Sequence, residues 1–202
     1  MRATTTTTAT TTWLTTLALA AFLLAGCGQR APQLRGSVIE PPQPAADFVL
    51  TDQHGQTFRL SDQRGHVVNL FFGYTHCPDV CPTTLAMWRQ VELKLGADAE
   101  KVRFVFISVD PERDTPERLQ EHLALFSPRL IGLTGDPAQL EPIYAAYHVF
   151  HEKVPAPESA LGYTVSHSSS VYVIDREGRW RMTYRFDAVA DDVVHDLREL
   201  LR

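Results

Sequence analysis

Apolar residues fall in short runs separated by polar, Gly- and Pro-containing segments, and the runs alternate between two patterns. Val67-Val68-Asn69-Leu70-Phe71-Phe72 and Val102 to Val109 are near-continuous apolar stretches, the pattern of parallel strands buried on both faces. Between them, Leu85, Trp88, Val91, Leu93 and Leu95 predict the buried side of a helix from about Pro82 to Leu95, ended by Gly96. Thr115-Pro116 supplies an N-cap and a first-turn proline for a second helix reaching about Phe126. Asp136-Pro137 opens a third, reaching about Tyr147, after a short strand from Leu130 to Thr134.

Ala46 to Leu50 and Thr57 to Leu60 flank a turn and predict a β-hairpin ahead of this unit. Ser169 to Asp175 and Arg179 to Tyr184 predict a second hairpin, and Val189 to Leu201 a closing helix. Buried strands alternating with helices predict an α/β sheet covered on both faces. A βαβ start closed by a hairpin and helix is the order of a thioredoxin-like fold, a central mixed β-sheet flanked by helices. In this chain the fold carries an added N-terminal hairpin.

The first residues do not belong to this pattern. A Thr-rich tract is followed by an apolar run from Trp13 to Leu24. That run is short for a bilayer span, which needs roughly 20 apolar residues, and has the length of a signal-peptide core. It ends in Leu24-Ala25-Gly26-Cys27, which resembles a bacterial lipobox. The expected organisation is a lipoprotein signal peptide over 1–26, a lipidated Cys27 with a flexible tether over 27–44, and a domain over 45–202. A short signal with a chance cysteine is the plainer alternative, and the single base in the leader, Arg2, is the weak point of the lipobox reading.

Composition narrows the class. The chain has 202 residues, 44% of them hydrophobic, and a formal net charge of −5. A mildly acidic domain without a basic cluster carries no electrostatic footprint for nucleic acid. Only three cysteines occur. With Cys27 committed to lipid, Cys77 and Cys81 are left, in a compartment that permits disulfides. A disulfide closing so short a loop contributes little as a staple, so the pair reads as chemical.

The pair lies in Phe72-Gly73-Tyr74-Thr75-His76-Cys77-Pro78-Asp79-Val80-Cys81-Pro82, between a buried strand and a helix, where open α/β sheets place ligands. Pro82 is expected at the first helical position, which puts Cys81 at or near the N-cap and Cys77 in the loop. Helix N–H groups there favour thiolate. Three intervening residues, one more than in the usual redox spacing, let the pair open around a soft ion such as Cu(I) or close to a disulfide. A histidine is expected to complete the site, and residue types alone do not choose among the eight. Structural zinc, which takes four protein ligands, fits poorly.

The stretch from Phe72 to Pro82 closely resembles the signature of the Sco/SenC family. The likeness continues through Ile107 to Pro116, Gly132-Leu133-Thr134-Gly135 and Tyr163 to Ser169, and covers about residues 45–202. The resemblance implies a thioredoxin-like fold and one copper, Cu(I) or Cu(II), held by Cys77, Cys81 and His167. It implies a role in assembling the dinuclear copper centre of cytochrome c oxidase subunit II, by delivering copper, by reducing that subunit's cysteines, or both. An upstream copper donor is implied but not identified. Anchored activity on an oxidase places the chain at the extracytoplasmic, periplasmic face of the cell membrane. Relatives often carry Asp before the histidine; this chain has Ser166, which removes a carboxylate that could orient the imidazole.

Asp110, at the end of a buried strand, and His76, beside Cys77, are candidates for a supporting shell around the site. Asp110 reads equally as a loop carboxylate capping a turn. His54, His66, His122, His148, His151 and His195 are expected to be solvated or packed, and Tyr144, Tyr147 and Phe150 to be core. The alternative function is a thiol–disulfide oxidoreductase in which Cys77 and Cys81 are catalytic and no copper is carried.

Overall fold

A computed structural model describes residues 33–202; the expected signal peptide and the lipidated Cys27 lie outside the described residues. In chain order the elements are β1 (Ser37–Pro44), β2 (Val49–Asp52), β3 (Thr57–Arg59), β4 (Val67–Gly73), α1 (Val80–Leu95), β5 (Val102–Ser108) and α2 (Pro116–Ala124). They continue with β6 (Ile131–Thr134), α3 (Pro137–Ala146), β7 (His151–Ala156), β8 (Gly162–His167), β9 (Val171–Ile174), β10 (Arg179–Tyr184) and α4 (Ala190–Leu201).

Eight strands form one mixed sheet in the order β1-β10-β9-β4-β5-β6-β2-β3, and β7 pairs with β8 in a separate hairpin. β4, β5 and β6 run parallel, β9 runs antiparallel to β4, and β10 antiparallel to β9. Every residue of β4 is buried because successive side chains enter opposite layers. Phe71 meets Trp88 of α1 with ring centroids 6.1 Å apart, while Phe72 meets Tyr144 of α3 at 6.1 Å. α1 and α4 pack on one another over the first of these faces. This is the thioredoxin-like α/β sheet expected, with the β2–β3 hairpin added.

Two segments depart from the expectation. Residues 37–44, read as part of a flexible tether, form the edge strand β1 against β10. Pro41, Pro42 and Pro44 are tolerated because an edge strand needs hydrogen bonds on one side only. The start of this strand is held by the buried Asp196, whose Oδ2 accepts the N–H groups of Arg35 and Gly36 at 2.8 and 2.9 Å. The β7–β8 hairpin has no counterpart among the expected elements. Only Val165 of its strand residues is buried, so they lack the apolar alternation that reveals a strand.

Smaller corrections concern packing. Leu93 and Phe150 are exposed rather than core, whereas Tyr144 and Tyr147 are buried as expected. Thr115 caps α2 by accepting the Arg118 N–H at 3.2 Å, with Pro116 next to it.

Candidate metal centre

The C-terminal end of β4 delivers the first two donors. After Gly73 the chain turns so that the Cys77 N–H bonds the Tyr74 carbonyl at 3.2 Å. α1 begins at Val80 with Asp79 at its N-cap, two residues earlier than expected, so Cys81 sits inside the first turn rather than at the cap. Pro82 is correspondingly deeper in that turn than the first helical position. Any first-turn position serves a proline, because none of the opening N–H groups has an intrahelical partner to lose. One of those N–H groups, that of Cys81, points at Cys77 Sγ at 3.5 Å.

The third donor arrives from the β7–β8 hairpin. His167 ends β8 and places Nε2 3.5 Å from Cys81 Sγ. Its ring is held edge-on by Tyr74 and Phe71, at centroid distances of 5.7 and 6.1 Å. The Tyr74 hydroxyl accepts the Val165 N–H at 3.2 Å, tying β8 to the cysteine loop. The Sγ atoms of Cys77 and Cys81 and a ring nitrogen of His167 all lie within 4.8 Å of one another. His167 Nδ1 lies 2.8 Å from the Ser168 carbonyl oxygen. A carbonyl can only accept, so Nδ1 carries the proton and Nε2 offers its lone pair to the thiols.

The two thiols are electrically unlike. A hydrogen bond from Cys81 outweighs burial and, with help from the Asp79 and Cys81 N–H groups, pushes the Cys77 thiol down to about 4. Burial, then the neighbouring Cys77, drives Cys81 well above the ordinary range. Cys77 is half-buried and faces a groove lined by Pro78, Asp79, Thr164, Ser166 and Ser169; Cys81 has no exposed surface. Both are free thiols. Two sulfurs and one imidazole suit a soft or borderline ion, and a thiolate beside a buried thiol also suits disulfide exchange.

The supporting residues divide. Asp110 is fully buried but touches none of the three donors. Its carboxylate accepts Arg113 Nε at 2.5 Å and the Tyr163 hydroxyl at 2.8 Å. Arg113 in turn donates to the Tyr163 carbonyl at 3.1 Å and lies over the Tyr163 ring at 3.6 Å. Asp110 therefore steadies β8, and His167 only through it. His76 is not part of the donor group; its Nδ1 lies 3.1 Å from the Thr75 hydroxyl. The other histidines stay outside the group. His66 contacts Arg103, His151 faces Glu141 and His195 pairs with Asp196.

Two residues support the site in ways that sequence reasoning missed. Asp114 is buried, and accepts from the Thr75 N–H at 3.2 Å, the Thr75 hydroxyl at 2.7 Å and the Ser108 hydroxyl at 2.6 Å. It fixes the loop two residues before Cys77, and burial raises its pKa. The available signal was a second acid following a buried strand, in the shadow of Asp110. Gly73 lies within the cysteine motif, where its residue type alone does not reveal its part. A Cβ there would lie 2.8 Å from Cys81 Sγ, closer than side-chain atoms approach.

The family described as SCO1/SenC matches residues 37–202. An SCO2-like protein of Rickettsia prowazekii is 37% identical over 147 residues, covering 73% of this chain and 72% of the relative. A structure of Bradyrhizobium japonicum ScoI with copper bound is 40% identical with a TM-score of 0.72, covering 78% of this chain and 99% of the other. A structure of BsSco, described as a member of the Sco family of cytochrome c oxidase assembly proteins with a disulfide switch, is 26% identical with a TM-score of 0.63. It covers 80% of this chain and 95% of the other.

Proposed function

This chain belongs to the SCO1/SenC family, and from that membership we propose that it is a membrane-anchored copper metallochaperone for cytochrome c oxidase. It binds one copper through Cys77, Cys81 and His167 and assists assembly of the dinuclear copper centre in subunit II. The observation that carries this reading is the convergence of the three donor atoms within 4.8 Å, with the imidazole proton already placed on the far nitrogen. The donor set fits copper in both oxidation states, since thiolates favour Cu(I) and imidazole suits Cu(II). The half-buried Cys77 is the side from which an acceptor can reach the ion.

Export and anchoring follow from the leader. A lipid on Cys27, after the Leu24-Ala25-Gly26 lipobox, holds the domain at the extracytoplasmic face of the cell membrane, where an oxidase subunit presents its cysteines. Among the described residues, Leu34 already packs against the core and the Arg35 and Gly36 N–H groups bond Asp196. The test is genetic. A strain lacking the chain is expected to lose the oxidase copper centre, regained with the wild type and not with Cys77→Ala. Normal oxidase copper in that strain overturns the role.

A second reading, a thiol–disulfide reductase for the same subunit, is favoured by the unequal thiols. The Cys77 thiolate would attack a partner disulfide, releasing one partner thiolate and forming a mixed disulfide. Cys81, losing its proton, would then displace the second partner sulfur and leave a Cys77–Cys81 disulfide. His167 would be dispensable in that chemistry. A chain that reduces the subunit at the same rate after His167→Ala would favour this reading over metal delivery.

A further inference from the structure

The hydrogen bonds around His167 contain a substitution that a regular hairpin would not make. β7 and β8 pair with His151 opposite His167, so the next rung outward joins Phe150 and Ser168. In an antiparallel rung of this kind the two residues exchange both N–H···O bonds. One half of the exchange is present: the Ser168 N–H donates to the Phe150 carbonyl at 2.9 Å. The other half is not. The Phe150 N–H donates instead to the Ser168 side-chain oxygen at 2.9 Å. The Ser168 carbonyl is thereby left for the His167 Nδ1–H, 2.8 Å away.

We infer that Ser168 is the positioning residue of the metal centre: its hydroxyl takes the Phe150 N–H, which frees its own carbonyl to set the His167 tautomer. The inference rests on the metal reading only for its consequence, not for its geometry. An antiparallel rung places the carbonyl of one residue opposite the N–H of its partner. Without the hydroxyl, the acceptor within reach of Phe150 is the Ser168 carbonyl itself, in the ordinary rung. Two donors, Phe150 N–H and His167 Nδ1–H, would then compete for it. Losing that bond frees the imidazole to move its proton to Nε2, the atom 3.5 Å from Cys81 Sγ. A protonated Nε2 cannot ligate.

This device also answers the departure at position 166. Ser166 is exposed and supplies no carboxylate. The partner that a metal-bound histidine needs on its second nitrogen is provided in this chain by backbone, made available by the neighbouring serine.

The test compares wild type, Ser168→Ala and Ser168→Thr as full-length, reduced, metal-free chains with nitrogen-15 label. Long-range nitrogen–proton correlation spectra report the His167 tautomer directly. Wild type and Ser168→Thr are expected to show Nδ1–H alone, and Ser168→Ala a mixture of tautomers. Copper affinity in Ser168→Ala is expected to fall roughly tenfold, the usual scale for losing a partner of a metal-bound imidazole, and to be restored in Ser168→Thr. A single Nδ1–H tautomer and unchanged affinity in Ser168→Ala overturn the inference. So does an Nε2–H tautomer in the wild type, which needs no variant to fold. A wild type that binds no copper but shows the expected tautomers overturns the metal reading and leaves the positioning role standing.

Discussion

The sulfur of Cys81 occupies the space beside Gly73 that a side chain would fill: a Cβ at position 73 would come within 2.8 Å of it, and equally close to the Phe106 ring. The glycine that ends β4 is therefore the floor of the site, and the buried cysteine has no room to retreat.

Gly73→Ala is expected to destabilise the fold by about 1–3 kcal/mol, the range for overpacking a tight interior, and to displace Cys81 from His167. Urea unfolding of the reduced chain measures the first effect and copper affinity the second. A variant with wild-type stability and affinity would show that the site has slack where the structure has none.

The unlike thiols predict an unusual pH dependence. Cys77 is depressed to about 4, so its thiolate is present throughout the neutral range and is lost only as pH falls through that value. Iodoacetamide labelling of the reduced, metal-free chain is expected to modify Cys77 at nearly constant rate from about pH 6 upward, where an ordinary thiol still gains about tenfold per pH unit. Cys81, raised by burial, is expected to stay unlabelled. A Cys77 rate that climbs log-linearly across that range would mean that Cys81 does not hold it as a thiolate.

Membrane attachment has its own test. Metabolic labelling with a radioactive fatty acid is expected to mark the wild-type chain and not Cys27→Ser, which should appear in the soluble extracytoplasmic fraction. Label retained by Cys27→Ser would remove the lipobox reading while leaving the copper site untouched.

Much of the sheet and the two cysteine donors could be read from the chain because their signals are local. The all-apolar run of β4 can only be buried on both faces, and Thr115-Pro116 can only begin a helix economically. His167 needed more than locality. Nothing in its own surroundings separates it from His151, its partner across the hairpin; only the resemblance to a known motif selected it. The strands β1, β7 and β8 were hidden because each is satisfied by backbone pairing and not by an apolar face. β1 also carries three prolines, which resemble a linker in composition. Asp114 escaped because its three partners, Thr75 twice and Ser108, come from two other segments. The Ser168 carbonyl, a backbone group, has no sequence signal at all.

The proposed function stands on a single copper held by two thiolates and the Nε2 of His167. An anaerobic Cu(II) titration of the reduced chain, followed by optical and electron paramagnetic spectroscopy, reads that site without intermediaries. One equivalent should give strong sulfur-to-copper charge-transfer bands and nitrogen hyperfine coupling. The bands should vanish in Cys77→Ala, and His167→Ala should lose the nitrogen coupling with weaker binding. A titration without a stoichiometric end point, or His167→Ala with wild-type spectra and affinity, would rule the site out.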